Sequence, residues 1–273
     1  MSDRPLTLMA VHAHPDDEVT STGGVLAKYA AEGVTTIVVT CTDGRCGDGP
    51  EGVKPGQPGH DPEAVAAHRR RELEASCAAL KVSHLEMLGY HDSGMMGWDT
   101  NDAPGAFWGA PVDEAAQRLA ALIEKYRPDV VLTYDANGSY GHPDHIQVHR
   151  VTMAAVELAK PAKVYMSALP RSVMVTVGER MRELGIGLDE PGSEGPQPEG
   201  WADEDITAWI DVASVLDQKF DALSAHASQS DGAFFLSLGR ETFGMVMGVE
   251  AYVRTHDTTG APAAETDLFE GLR

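Results

Sequence analysis

Cysteine is scarce in this chain. Its three residues, Cys41, Cys46 and Cys77 of 273, form no Cys-x-x-Cys pair, and an odd, unpaired set argues for a reducing compartment over a disulfide framework. Each reads as a small core residue; Cys46, in a Gly-rich loop, is the one that could border a site. Positive charge is scarce too: 21 Lys plus Arg stand against 42 Asp plus Glu, a net charge of -21. Such a surface repels nucleic acid and anionic membranes alike, so neither is expected as a partner. There is no long apolar run, and the N-terminus lacks the basic and apolar regions of a signal peptide, which predicts a soluble, cytoplasmic protein. No internal repeat is present.

What the chain has is length and alternation. With 42% hydrophobic residues it can bury a sizeable core, and one domain spanning 1–273 is expected. Strand patterns fall at Leu6–Ala13, Thr35–Thr40, His84–Leu88, Asp129–Tyr134 and Lys163–Leu169. Helical patterns lie between them: Gly24–Glu32, a run from Pro62 through Val65, Leu73, Cys77 and Leu80, Val112–Tyr126, and a run through Ile146, Val151 and Leu158. This order predicts an α/β fold, a Rossmann-like, mostly parallel sheet flanked by helices over 1–175. A smaller C-terminal α+β extension, 176–273, is expected to follow. Around and within it Val173–Val177, Ile206–Val212 and Phe243–Val253 read as strands, Val215–Ala225 as a helix, and the chain after Thr255 as a loose tail. The acidic loop 185–205 carries seven acids and no Lys or Arg, so it reads as a mobile surface loop that could shape a substrate mouth. Two further long loops, 42–62 and 97–111, have the size of lids or pocket walls.

Two segments carry the chemistry. His12-Ala-His-Pro-Asp-Asp-Glu18 closes the first strand. Pro15 removes a backbone donor and disfavours helix at the residue before it, leaving the histidines at the strand's carboxyl end and the acids on the turn beyond. Tyr140-Gly-His-Pro-Asp-His145 follows the fourth strand and opens a helix. In a doubly wound sheet those strands are neighbours whose connections leave on opposite sides, so both His-Pro-Asp segments converge on one crevice. Imidazole and carboxylate together there suggest a divalent metal. His12 would share a face with His14 on an unbroken strand, and His145 and His149 stand four apart on a helix, so either remains open as a ligand. Arg69, Arg70 and Arg71 are either a solvated face or include one arginine that reaches the pocket.

These residues resemble the PIG-L, or LmbE-like, de-N-acetylases, and within that family the deacetylase of mycothiol biosynthesis and the mycothiol S-conjugate amidase. The matching segments are His12–Glu18, Arg70–Leu73, His91–Met95 and Arg127–His145, roughly the first two-thirds of the chain. The resemblance implies a metal-dependent amidohydrolase, with Zn2+ the usual ion and Fe2+ a competitor, that removes an acetyl or other acyl group from the nitrogen of an amino-sugar conjugate. It implies His14, Asp17 and His145 as ligands, a set that leaves positions open for water and a carbonyl oxygen, as in catalytic zinc sites. Asp16 becomes the general base toward the attacking water. His142, as an imidazolium, would stabilise the oxyanion or protonate the leaving amine, and Tyr140 would help polarise the carbonyl or move a proton. Asp144 would orient a histidine or cap the helix.

Arg70, Asp92, Met95 and His226 are the candidate substrate contacts. Asp92 reads equally as a turn residue in Asp-Ser-Gly, His226 as an exposed helix-end histidine, and Glu18 as a first-turn acid favoured by the helix dipole. Where the S-conjugate amidases tend to carry a lysine before the glycine that follows Asp-Asp-Glu, this chain has Thr22, which leans toward a deacetylase of a small glycoside. The amidase and a natural-product tailoring deacetylase remain as alternatives, so the expected partner is a small amino-sugar or thiol-conjugate substrate, with a homo-oligomer left open. Outside the enzymes stands a non-catalytic, metal-binding Rossmann-like protein. It is disfavoured because no Gly-x-Gly-x-x-Gly follows the first strand and because Asp16 and His142 have no purpose in a mere metal clip.

Overall fold

The computed structural model describes residues 4–49, 52–183, 200–237 and 239–273. Its strands are β1 (Thr7–His12), β2 (Thr35–Thr42), β3 (His84–Tyr90), β4 (Val130–Thr133), β5 (Lys163–Ala168), β6 (Ala208–Asp211) and β7 (Val249–Asp257). They join in one sheet of order β3-β2-β1-β4-β5-β7-β6. The first five pair in parallel, and β7 and β6 add an antiparallel edge. Every residue of β1 is buried, as expected of a central parallel strand covered on both faces.

The helices are α1 (Asp17–Ala31), α2 (Pro62–Ala79), α3 (Val112–Tyr126), the single turn α4 (Gly138–Gly141), α5 (Pro143–Ala159), α6 (Arg171–Glu183), α7 (Leu216–Ala225), α8 (Ser230–Ser237) and α9 (Gly239–Met247). Strand alternation divides the core between them. Leu8 and Ala10 pack with residues of α1, α2 and α7 on one face, while Met9 and Val11 pack with residues of α3 and α5 on the other. Leu8, Met9 and Val11 each contribute roughly 1.5–3 kcal/mol on full burial. Among the described residues no helix is long and apolar enough to cross a membrane.

Four expectations are corrected here. Helix α1 begins at Asp17 rather than near Gly24; Gly24 serves packing, since a Cβ on it would lie 2.5 Å from Val212. Val173–Val177 belongs to α6, not to a strand. Phe243–Val253 is the end of α9 followed by β7. The tail after Thr255 is not loose: Lys163 Nζ pairs with Glu265 Oε1, the Leu268 amide donates to Tyr29 Oη at 2.8 Å, and Phe269 is fully buried. Of the acidic stretch, residues 185–199 lie outside the described residues, and Asp203–Asp205 form a single 3-10 turn.

Candidate metal centre

Leu8, Met9 and Ala10 of β1 stand in register with Val130, Val131 and Leu132 of β4, so the segments leaving the two carboxyl ends meet. After β1 the chain turns sharply into α1, which puts Asp16 at φ 122° and ψ -28°. A residue with a Cβ rests there only at a cost on the order of 1–3 kcal/mol. Two groups hold the turn: the Asp16 amide donates to Glu18 Oε2 at 2.9 Å, and Arg69 Nη2 donates to Pro15 O and, at 2.9 Å, to Asp16 Oδ2. After β4, Pro143 takes the first position of α5, where a missing donor costs nothing. His142 is the N-cap, its Nδ1 accepting the Asp144 amide at 3.1 Å. The first turn of α5 thus carries Asp144 and His145 inward, both buried.

Three donor atoms form a triangle. His14 Nδ1 and His145 Nε2 are each 3.4 Å from Asp17 Oδ2, and 3.3 Å from one another. Ligands bonded at about 2.0–2.1 Å around a tetrahedral zinc are about 3.4 Å apart, so the set fits a zinc-sized cation. On its other side His14 Nε2 lies 3.2 Å from Asp144 Oδ2 and 3.4 Å from Asp92 Oδ1. Carboxylates only accept, so the ring proton belongs on Nε2 and the Nδ1 lone pair turns into the triangle. His142 also approaches His14 and His145 closely enough to be counted with them, but its Nδ1 is already occupied by the Asp144 amide.

Electrostatics separate the roles. Burial opposes charge on His14, yet Asp92, Asp144 and Asp17 outweigh it and hold the imidazole well above its ordinary range. Asp17 is also desolvated, but His145 and His14 keep it well below the usual carboxylate range. Asp16 differs: burial pushes it up to about 6, against the Arg69 guanidinium and with the help of Asp17. Burial, reinforced by His14 and His145, depresses His142 to about 2. That depression, with the hydrogen bond Nδ1 accepts from the Asp144 amide, favours a neutral ring with its proton on Nε2 over the expected imidazolium.

His14, Asp16, Asp17, Tyr140, His142, His145, Asp92, Met95 and His226 border one cavity of about 810 Å³. Asp144 lies behind His14, with no exposed surface, and the helix cap expected of it is made by His142 instead. Asp92 accepts from the Gly94 amide at 2.8 Å and the Cys46 amide at 3.1 Å, so it anchors the turn while facing His14. Tyr140 stands edge-on to His145, ring centres 5.1 Å apart. His226 is no exposed helix end: it is 1% accessible, its Nε2 2.7 Å from Glu18 Oε1. His12 is spent on Thr22 Oγ1 at 2.9 Å and His149 donates to Tyr134 O, so neither joins the donor triangle.

Arg70 is the correction among the site residues. Its Nε pairs with Glu74 on an exposed face of α2, away from the cavity. Arg69 reaches the pocket instead, in a cradle that needs Gly44, where a Cβ would lie 2.5 Å from the guanidinium. Helix spacing carries the signal: Val65, Arg69, Leu73 and Cys77 recur every four residues and are all buried. Tyr134, whose ring stacks 4.3 Å from that of His145, and Ser93, whose amide donates to Asp144, lie inside the Arg127–His145 and His91–Met95 segments but were not singled out there.

The sequence pattern of the PIG-L family, described as GlcNAc-PI de-N-acetylase, matches residues 9–156. A protein of Acidothermus cellulolyticus named 1D-myo-inositol 2-acetamido-2-deoxy-alpha-D-glucopyranoside deacetylase is 42% identical, covering 97% of this chain and 95% of its own. A protein of the same name from Thermomonospora curvata is 39% identical over 100% of this chain and 99% of its own. Among solved structures, N,N'-diacetylchitobiose deacetylase from Pyrococcus horikoshii superposes with a TM-score of 0.60 at 21% identity, covering 91% of this chain and 83% of that one.

Proposed function

This chain belongs to the PIG-L family of GlcNAc-PI de-N-acetylases, and on that premise we propose that it hydrolyses the acetamide of a small amino-sugar glycoside. The acetamidoglucosyl-inositol named for its full-length relatives is the first substrate to try. The observation that carries this reading is the donor triangle of His14, Asp17 and His145 with Asp16 beside it.

Those three residues would hold a divalent ion, zinc or iron(II), which when bound lowers the pKa of water and polarises a carbonyl. The chain's own groups supply the rest. Arg69 occupies Asp16 Oδ2, which leaves Oδ1 to take the proton of the attacking water. A carboxyl held near 6 is ionised at neutral pH yet basic enough to accept it. Neutral His142 presents Nε2–H to the oxygen on which negative charge develops, with Tyr140 on the same wall as a second donor. Asp16 then returns its proton to the leaving nitrogen, so acetate and free amine are the products. Asp92 and Met95 border the space for the sugar. Three unpaired cysteines support a reducing, cytoplasmic setting for this reaction.

The test separates ligand from base. Asp16→Asn keeps one equivalent of metal and loses turnover by about 10²–10⁴-fold, whereas His14→Ala loses the metal. An Asp16→Asn protein that turns over normally takes Asp16 out of the chemistry.

A further inference from the structure

Behind Asp16 lies a buried cluster that this chemistry does not use. Glu18, in the first turn of α1, is fully buried and folds back on the turn that precedes it. Its Oε2 accepts the Asp16 amide at 2.9 Å, and its Oε1 accepts Ser76 Oγ–H from α2 and lies 2.7 Å from His226 Nε2 at the end of α7. A buried carboxylate is stable only if it is paired and its lone pairs are used. Here α2 and α7 supply those partners. The one residue whose amide Glu18 holds is the one whose backbone sits at φ 122°, a conformation that persists only where its surroundings over-determine it.

We infer that Glu18 and His226 are a positioning pair: His226 fixes the Glu18 carboxylate, Glu18 fixes the Asp16 peptide, and the Asp16 side chain is thereby aimed into the cavity. This rests on the reading of Asp16 as the base. It also reassigns His226, which borders the cavity but acts through Asp16 rather than by holding substrate.

A double-mutant cycle on the metal-loaded enzyme tests it. His226→Ala lowers kcat by about tenfold or more, with KM within about threefold and metal still at one equivalent. His226→Gln, whose amide can still donate to Glu18, recovers most of that kcat. In an Asp16→Asn background the same two substitutions change the residual rate by less than about twofold, because residues acting as one unit are not additive. Ser76→Ala removes one hydrogen bond from Glu18 without unpairing a charge, and its smaller kcat loss carries the test if His226→Ala loses its fold. A rise in KM at constant kcat marks a substrate contact and overturns the pair, as does metal loss in step with rate, or an equal loss in both backgrounds. Full turnover by Asp16→Asn alone instead sinks the underlying reading, so the two failures are distinguishable.

Discussion

Arg69 and Arg70 are neighbours with opposite surroundings, and their difference is measurable. Arg69→Ala unpairs Asp16 and the Pro15 and Gly44 carbonyls in a buried site, so it should cost on the order of 3 kcal/mol of stability and most of the activity. Arg70→Ala removes an exposed i,i+4 pair with Glu74, worth less than about 0.5 kcal/mol, and should leave kcat/KM unchanged. Thermal midpoints and steady-state rates of the two variants decide it; the reverse ranking contradicts the site as described. His14 gives a pH dependence. Asp92, Asp144 and Asp17 raise its pKa in the metal-free protein above the ordinary imidazole value despite burial, so a metal competes with a proton there over a higher pH range than at an ordinary imidazole. Apparent zinc affinity should therefore climb with pH by up to about tenfold per unit until that pKa is passed. Competition with a chelator between pH 6 and 8 reads the slope, and an affinity flat across that range argues against His14 Nδ1 as a donor. The donor triangle of His14, Asp17 and His145 was legible because one His-Pro-Asp follows β1 directly and the other opens α5 beyond β4. Arg69 was not, because three adjacent arginines look alike until the helix phase set by Val65 and Leu73 is applied.

Elements explain what the motifs alone do not. The turn α4 delivers His142, Asp144 and His145 to the crevice only because Gly138 takes φ +61° and leaves room: a Cβ there would lie 2.7 Å from His145 Cβ and from the Ile146 amide. Gly138→Ala should push the start of α5 off its seat and weaken metal binding by about tenfold or more, through both strain and displacement. Retention of tight binding in that variant would show that α5 is positioned by other contacts. The same scale shows where sequence patterns mislead. Val173, Val175 and Val177 alternate like a strand, yet in α6 Val173 and Val177 share the face toward the cavity and Val175 is exposed. Three residues cannot distinguish period two from a four-residue step. Gly24 looks like punctuation but is a close-packing position, as Val212 against it shows. The parallel strands were readable because each is a short apolar run between helices. The antiparallel edge was not, because the partner of β7 depends on contacts made far along the chain.

At the scale of the whole molecule, the sheet order brings β1 and β4 together and so turns two motifs about 130 residues apart into one site. The C-terminal segment then closes it from the other side: α7 supplies His226, and α6 and β7 supply apolar wall. A net charge of -21 disfavours anionic substrates and leaves a neutral glycoside unhindered. The crevice so formed is the proposed metal-dependent deacetylase site. Its most direct test is the metal content of the purified protein together with amine release from the acetamidoglucosyl-inositol glycoside, before and after a chelator. One equivalent of zinc or iron per chain, with release that stops on chelation and returns on reloading, is the result predicted. Folded, fully reloaded protein that holds no metal would contradict the account.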